Sequence, residues 1–159
     1  MKAESVVTIR KELKHRSHDE IMQLCLRLAR FKKENKELLT YLLYEADHEE
    51  RYILNIKAEI DAQFENINRA SYFYIKKSVR KILRNIKKHA RYSQKKETEV
   101  ELLLYFCEKL IDLNPSIKRN VTLTNILNRQ LIIIKKLTNS LHEDLQYDYN
   151  LKIENLVID

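Results

Sequence analysis

TEVELLLYFCEKLIDL, residues 98–113, decides how this chain folds. Val100, Leu102, Leu103, Leu104, Phe106, Cys107, Leu110, Ile111 and Leu113 go nearly all the way round a helical wheel, leaving a narrow polar line of Glu101, Glu108 and Asp112. A helix that is apolar on every side must be surrounded by other elements, so this one is expected at the centre of a bundle. Thr98 and Glu101 have the spacing of a capping box that would open it, and Asn114-Pro115 would close it because the residue before proline disfavours helix.

What surrounds it reads as helix in both directions. Immediately before lies SYFYIKKSVRKILRNIKKHARYSQKK, a basic helix expected over about 72–92 with Ser71 as its cap. Its inner face is Tyr72, Ile75, Val79, Ile82, Leu83, Ile86 and Ala90. Upstream, the stripe Leu39, Leu42, Leu43, Ala46, Ile53, Ile56, Ile60, Phe64 and Ile67 predicts a long helix near 34–67, about 50 Å if unbroken, with a possible bend at Asp47-His48. Two short helices precede it. Val6, Ile9 and Leu13 mark the first; Ile21, Leu24, Cys25 and Leu28 mark the second, opened by a Ser17/Glu20 capping box. After the central helix, the spacing predicts a sixth helix over 117–138 with the run LIIIKKL. A last one follows a Ser140/Glu143 box, with Leu141, Leu145, Tyr149, Ile153 and Leu156 as its apolar positions.

Composition agrees. The 159 residues contain no Gly, one Pro and no Trp. Hairpin turns need positive φ, and phosphate-cradling loops need backbone that approaches the ligand closely; both rely on Gly. Sheet folds and P-loop or Rossmann sites are thereby excluded. No repeat period is present. The expectation is an all-α, single-domain bundle of six or seven helices spanning 1–159. The N-terminus MKAESVVTIRKELK lacks a signal-peptide stretch, and LLLYFC at 102–107, the longest apolar run, is too short to span a bilayer. A cytoplasmic protein is expected, with Cys25 and Cys107 as buried reduced thiols.

IRKELKHRSHDEIMQLCLRLARFKKENKELLTYLL near the N-terminus, together with KKETEVELLLYFCEKL at 95–110, resembles a family of small bacterial all-helical proteins of unknown function. The resemblance rests on caps and core positions. It implies a helical domain without an assigned activity, and it carries over no catalytic residue.

Charge supplies the functional pointer. Asn66 to Lys96 holds eleven Lys or Arg and no Asp or Glu, whereas the whole chain carries +7, so the other residues sum to −4. Lys76, Lys77, Arg80, Lys81, Arg84, Lys87, Lys88 and Arg91 occupy a broad arc opposite the apolar face, continued by Lys95 and Lys96. Five like-charge i,i+4 pairs lie along it, which cost the helix roughly 1–2.5 kcal/mol at about 0.2–0.5 each. Relief must come from outside. It could come from Glu45, Asp47, Glu49, Glu50, Glu59, Asp61 and Glu65 of the preceding helix, from phosphates of a nucleic acid, or from an acidic protein or anionic membrane surface. Phe73 projects on the basic side and Tyr92 lies at its edge, where a base could stack.

Other chemistry is thin. Glu12/His15 and Glu45/His48 have the Glu-x-x-His spacing of a di-iron bundle, but both histidines fall outside their helices' apolar stripes. A metal-dependent helical-bundle enzyme is thus a residual reading. No catalytic, metal-binding or cofactor-binding residue is assigned, and no cofactor is expected. The reading is a non-catalytic protein–protein interaction or scaffold module with a basic helical face. The alternative is a nucleic-acid-binding protein using the same helix, 72–96. The partner would be another protein or a second copy, with a homodimer formed through the long helix or the LIII run.

Overall fold

Helical periodicity with three-residue capping signals produces helix throughout: the computed structural model describes residues 1–156, and among them there are eight α-helices and no strand. The all-α expectation holds. The described chain divides into two compact units, Met1–Tyr44 and Glu45 onward.

The first unit contains α1 (Val6–Leu13), α2 (His18–Phe31) and α3 (Lys33–Thr40). Ser5 caps α1 by accepting the Thr8 N–H, and Ser17 and Glu20 form the expected reciprocal capping box at the start of α2. α2 and α3 pack against each other, and the Asn35 amide donates to the Leu28 carbonyl at 2.8 Å across their joint. The inward faces read from sequence are not buried here. Val6, Ile9, Leu13, Ile21, Leu24, Cys25 and Leu28 are all exposed, and only Ala29 and Tyr41 are buried in this unit. The reason is the absence of a further layer within the unit: two packed helices can cover one stripe each, and α2 has more apolar surface than one stripe.

The helix expected over 34–67 is interrupted. α3 ends at Thr40, a π-helical turn follows at Tyr41–Glu45, and the chain turns before α4 (Glu49–Glu65) starts after His48. The break falls at the Asp47-His48 position flagged by the sequence, and it raises the count from the expected six or seven to eight.

The second unit is built round α6 (Lys96–Ile111), which packs against α4, α5 (Tyr72–Ser93), α7 (Val121–Thr138) and α8 (Glu143–Leu156). Val100, Leu102, Leu103, Leu104, Phe106, Cys107 and Leu110 of α6 are buried. This is the central position its all-round apolarity requires. α4 contributes Tyr52, Ile56, Ile60 and Phe64, and α5 contributes Ile75, Val79, Ile82, Ile86 and Ala90, so the apolar face of the basic helix is anchored in the core. A 3-10 turn at Ile117–Arg119 precedes α7, and Asn120 caps α7 by accepting the Leu123 N–H at 3.2 Å.

Two expected capping boxes are not formed, because their side chains have other partners. α6 begins before Thr98, whose hydroxyl donates to Glu49 Oε1 at 2.6 Å, while Glu101 accepts from Lys57 at 2.9 Å and Lys152 at 3.1 Å. Ser140 donates to the Leu137 carbonyl at 2.6 Å, closing α7 instead of opening α8.

Candidate anion-binding groove

α5 runs for 22 residues with one edge in the core and the other in solvent. Ser71 occupies the N-cap position without a side-chain hydrogen bond, so packing and not capping holds this end. Tyr72 adds a tether by donating from its hydroxyl to the Ser116 carbonyl at 2.8 Å. At the other end Gln94 adopts φ 57° and its N–H donates to the Ala90 carbonyl at 2.9 Å. That left-handed cap is what glycine usually provides, and it turns the chain directly into α6.

Arg80, Leu83, Arg84, Lys87 and Arg91 form one wall of a groove whose other residues are Glu99 of α6 and Ile126 and Ile133 of α7. The cations follow the i, i+4, i+7, i+11 spacing of one helical edge, about 16 Å from Arg80 to Arg91. Leu83, Ile126 and Ile133 give the groove an apolar component, and Glu99 is the lone carboxylate on it. Lys77 and Lys81 are exposed further round the helix, and Lys76 is half-buried at the N-terminal side.

Internal neutralisation of the basic arc is largely unrealised. Lys95 Nζ pairs with Glu49 Oε2 at 3.0 Å, and Lys88 is engaged with a neighbouring group. Lys76, Lys77, Arg80, Lys81, Arg84, Lys87, Arg91 and Lys96 make no ion pair among the described residues. Of the acids of α4 and the turn before it, Glu45 and Asp61 are directed elsewhere, whereas Glu49 and Glu59 face the C-terminal end of the basic segment at Lys95 and His89. Glu45 pairs with Arg51 at 3.3 Å, Glu59 lies 3.8 Å from His89 Nε2, and Asp61 pairs with Lys109 of α6 at 2.6 Å. Asp61 also accepts from the Tyr105 hydroxyl at 2.7 Å.

Burial raises the Asp61 and Glu101 carboxyls, but their lysine partners, joined at Asp61 by Tyr105, outweigh it and leave both below the usual carboxylate range. These charged groups tie α4 to α6 and α6 to α8. They are structural staples away from the groove.

The remaining sequence candidates are dispersed. His15 lies just after α1 and His48 just before α4, both exposed. Among the described residues no three His, Cys, Asp or Glu side chains come together as a metal site. Phe73 is 66% exposed and stacks edge-on against Tyr74 at 5.4 Å, whereas Tyr92 is half-buried with its ring against His89. Sequence reasoning missed the contribution of Ile126 and Ile133, because nothing local says that alternate residues of the LIII region and its preceding turn would face α5. Leu83 belongs to the inner face read from the sequence, but the structure leaves it half-buried on the groove. No family model matches this chain, no curated protein matches it, and no solved structure matches it. None of the described helices is long and apolar enough to cross a membrane.

Proposed function

We propose that this chain is a non-catalytic interaction module whose α5 groove takes an acidic amphipathic segment of another protein. The observation that carries the reading is that Arg80, Arg84, Lys87 and Arg91 make no ion pair among the described residues while Glu45 and Asp61 pair elsewhere. Like charges at i,i+4 are unfavourable, so a surface that retains them gains when an anionic partner arrives. The groove's composition favours a protein partner. A helix with leucines on one face and glutamates on its flank would lay the leucines on Leu83, Ile126 and Ile133, with the glutamates along Arg80, Arg84, Lys87 and Arg91.

A second reading, single-stranded nucleic acid, has a specific feature in its favour. The exposed Phe73–Tyr74 pair adjoins Lys76 and Lys77, combining a stacking surface with charge.

The test is a titration of a labelled peptide of that design against the protein and against the Arg80→Glu/Arg84→Glu/Lys87→Glu variant. The wild type is expected to bind and the variant to lose at least about tenfold in affinity with unchanged circular dichroism. Equal binding by the two proteins would refute the assignment.

A further inference from the structure

Both helices that flank the groove lack acids. α5 and α7 contain no Asp or Glu, and each packs against α6. α7 turns Leu123, Leu127, Gln130, Ile134 and Thr138 into the core, and Ile126 and Ile133, at one flank of that stripe, line the groove. Arg129 stands three residues after Ile126 and four before Ile133, and Lys136 stands three after Ile133. Residues at those spacings are neighbours on a helix surface. At about 100° per residue both cations lie roughly 40–60° further from the core than the isoleucines, on the same side. Lys135 lies on the opposite flank, roughly 160° from Ile133.

Arg129 and Lys136 are exposed and make no ion pair among the described residues. The groove therefore has a cationic rim on each side. Arg80, Arg84, Lys87 and Arg91 form the α5 rim, Arg129 and Lys136 form the α7 rim, and Leu83, Ile126 and Ile133 lie between. Carboxylates on one flank of a ligand would answer only one of these rims.

We propose, resting on the groove reading above, that Arg129 and Lys136 are partner-binding residues and that the segment taken is a helix with acids on both flanks of its apolar stripe. In heptad terms it is apolar at a and d and carries Glu or Asp at both e and g. A helix lying in a groove offers one flank to each wall. Ile126 and Ile133 are about 10 Å apart along α7 and the α5 cations span about 16 Å, so the segment spans about three turns. A nucleic-acid strand could meet both rims with phosphates, but it brings bases and sugars, not aliphatic side chains, to the apolar residues between them.

Anisotropy titrations of the full chain at physiological ionic strength, with two labelled peptides, test this. Both peptides carry Leu at a and d; one has Glu at e and g, the other Glu at e and Gln at g. Lys135→Glu and Lys136→Glu change the charge of the protein equally and differ in the flank of α7 they alter. For the two-flank peptide, Lys136→Glu is expected to weaken binding about fivefold and Arg129→Glu/Lys136→Glu about tenfold or more, with Lys135→Glu within about twofold of the wild type. The one-flank peptide can turn its acids toward α5, so Lys136→Glu is expected to change its affinity less than about twofold. All three variants alter exposed side chains, and their circular dichroism is expected to match the wild type. Equal affinities of Lys135→Glu and Lys136→Glu for the two-flank peptide would overturn the inference and leave the groove reading standing. A wild type that binds neither peptide would remove both. A single-stranded oligonucleotide that binds at this ionic strength and responds to Lys136→Glu, with the peptides indifferent to it, would also overturn the inference.

Discussion

The Glu49 carboxylate accepts hydrogen bonds from the Ser93 and Thr98 hydroxyls and from Lys95 Nζ, joining the first turn of α4 to the α5–α6 corner. Ser93 and Thr98 are buried, so removing their acceptor strands two hydroxyls away from water. Glu49→Ala is expected to cost about 2–3 kcal/mol in urea unfolding; a loss near zero would mean that water replaces the carboxylate. Gln94 bears on the same corner. Its left-handed backbone carries a Cβ that glycine lacks, so Gln94→Gly is expected to stabilise the protein by about 0.5–1 kcal/mol. The cysteines diverge at this scale. Burial, with Glu108 nearby, pushes the Cys107 thiol up to about 12, whereas Cys25 is exposed. A thiol reagent at neutral pH is therefore expected to label Cys25 rapidly and leave Cys107 untouched until unfolding.

Elements joined by carboxylates should loosen in acid. Asp61 and Glu101 are held below the usual range in the folded protein, so the unfolded chain takes up their protons first. Their contribution to stability is full above about pH 4–5, where the unfolded carboxylates are ionised, and fades as pH falls through the lower folded values. Thermal midpoints measured between neutral pH and pH 3 are expected to drop, and Asp61→Asn/Glu101→Gln is expected to flatten that drop. Element positions were largely legible in the sequence because they follow from periodicity. α5 was expected over 72–92 and runs 72–93, and α6 lies at the centre as its all-round apolarity demands. The helix starts at Thr98 and Ser140 were misread because a capping box is only one use of a hydroxyl. Glu49, far away in sequence, captured Thr98, and a neighbouring carbonyl captured Ser140. The inward faces of α1 and α2 were misread for a related reason: periodicity identifies an apolar face but not what covers it.

At the scale of the whole molecule, the asymmetry of charge seen in the sequence persists in the fold. Asp61 and Glu101 of the second unit are spent on staples between helices, and Arg80, Arg84, Lys87 and Arg91 of α5 make no ion pair among the described residues, along a groove with apolar residues in it. The cations of that groove were legible from the run without acids. Its floor was not, because Ile126 and Ile133 reach it only after α7 has folded back against the bundle. The combination distinguishes two kinds of partner. A bare line of cations would bind phosphates with affinity set by released counterions, and would lose them as salt rises. A groove that also buries leucines would retain its ligand at physiological salt. The most direct measurement is one salt series, from low to physiological ionic strength, in which the acidic amphipathic peptide and labelled single- and double-stranded DNA and RNA are each titrated by fluorescence anisotropy. The expected result is peptide binding that survives at physiological salt while nucleic-acid binding fades. Nucleic-acid binding that persists and prefers one strand form, with peptide binding lost, would contradict the account.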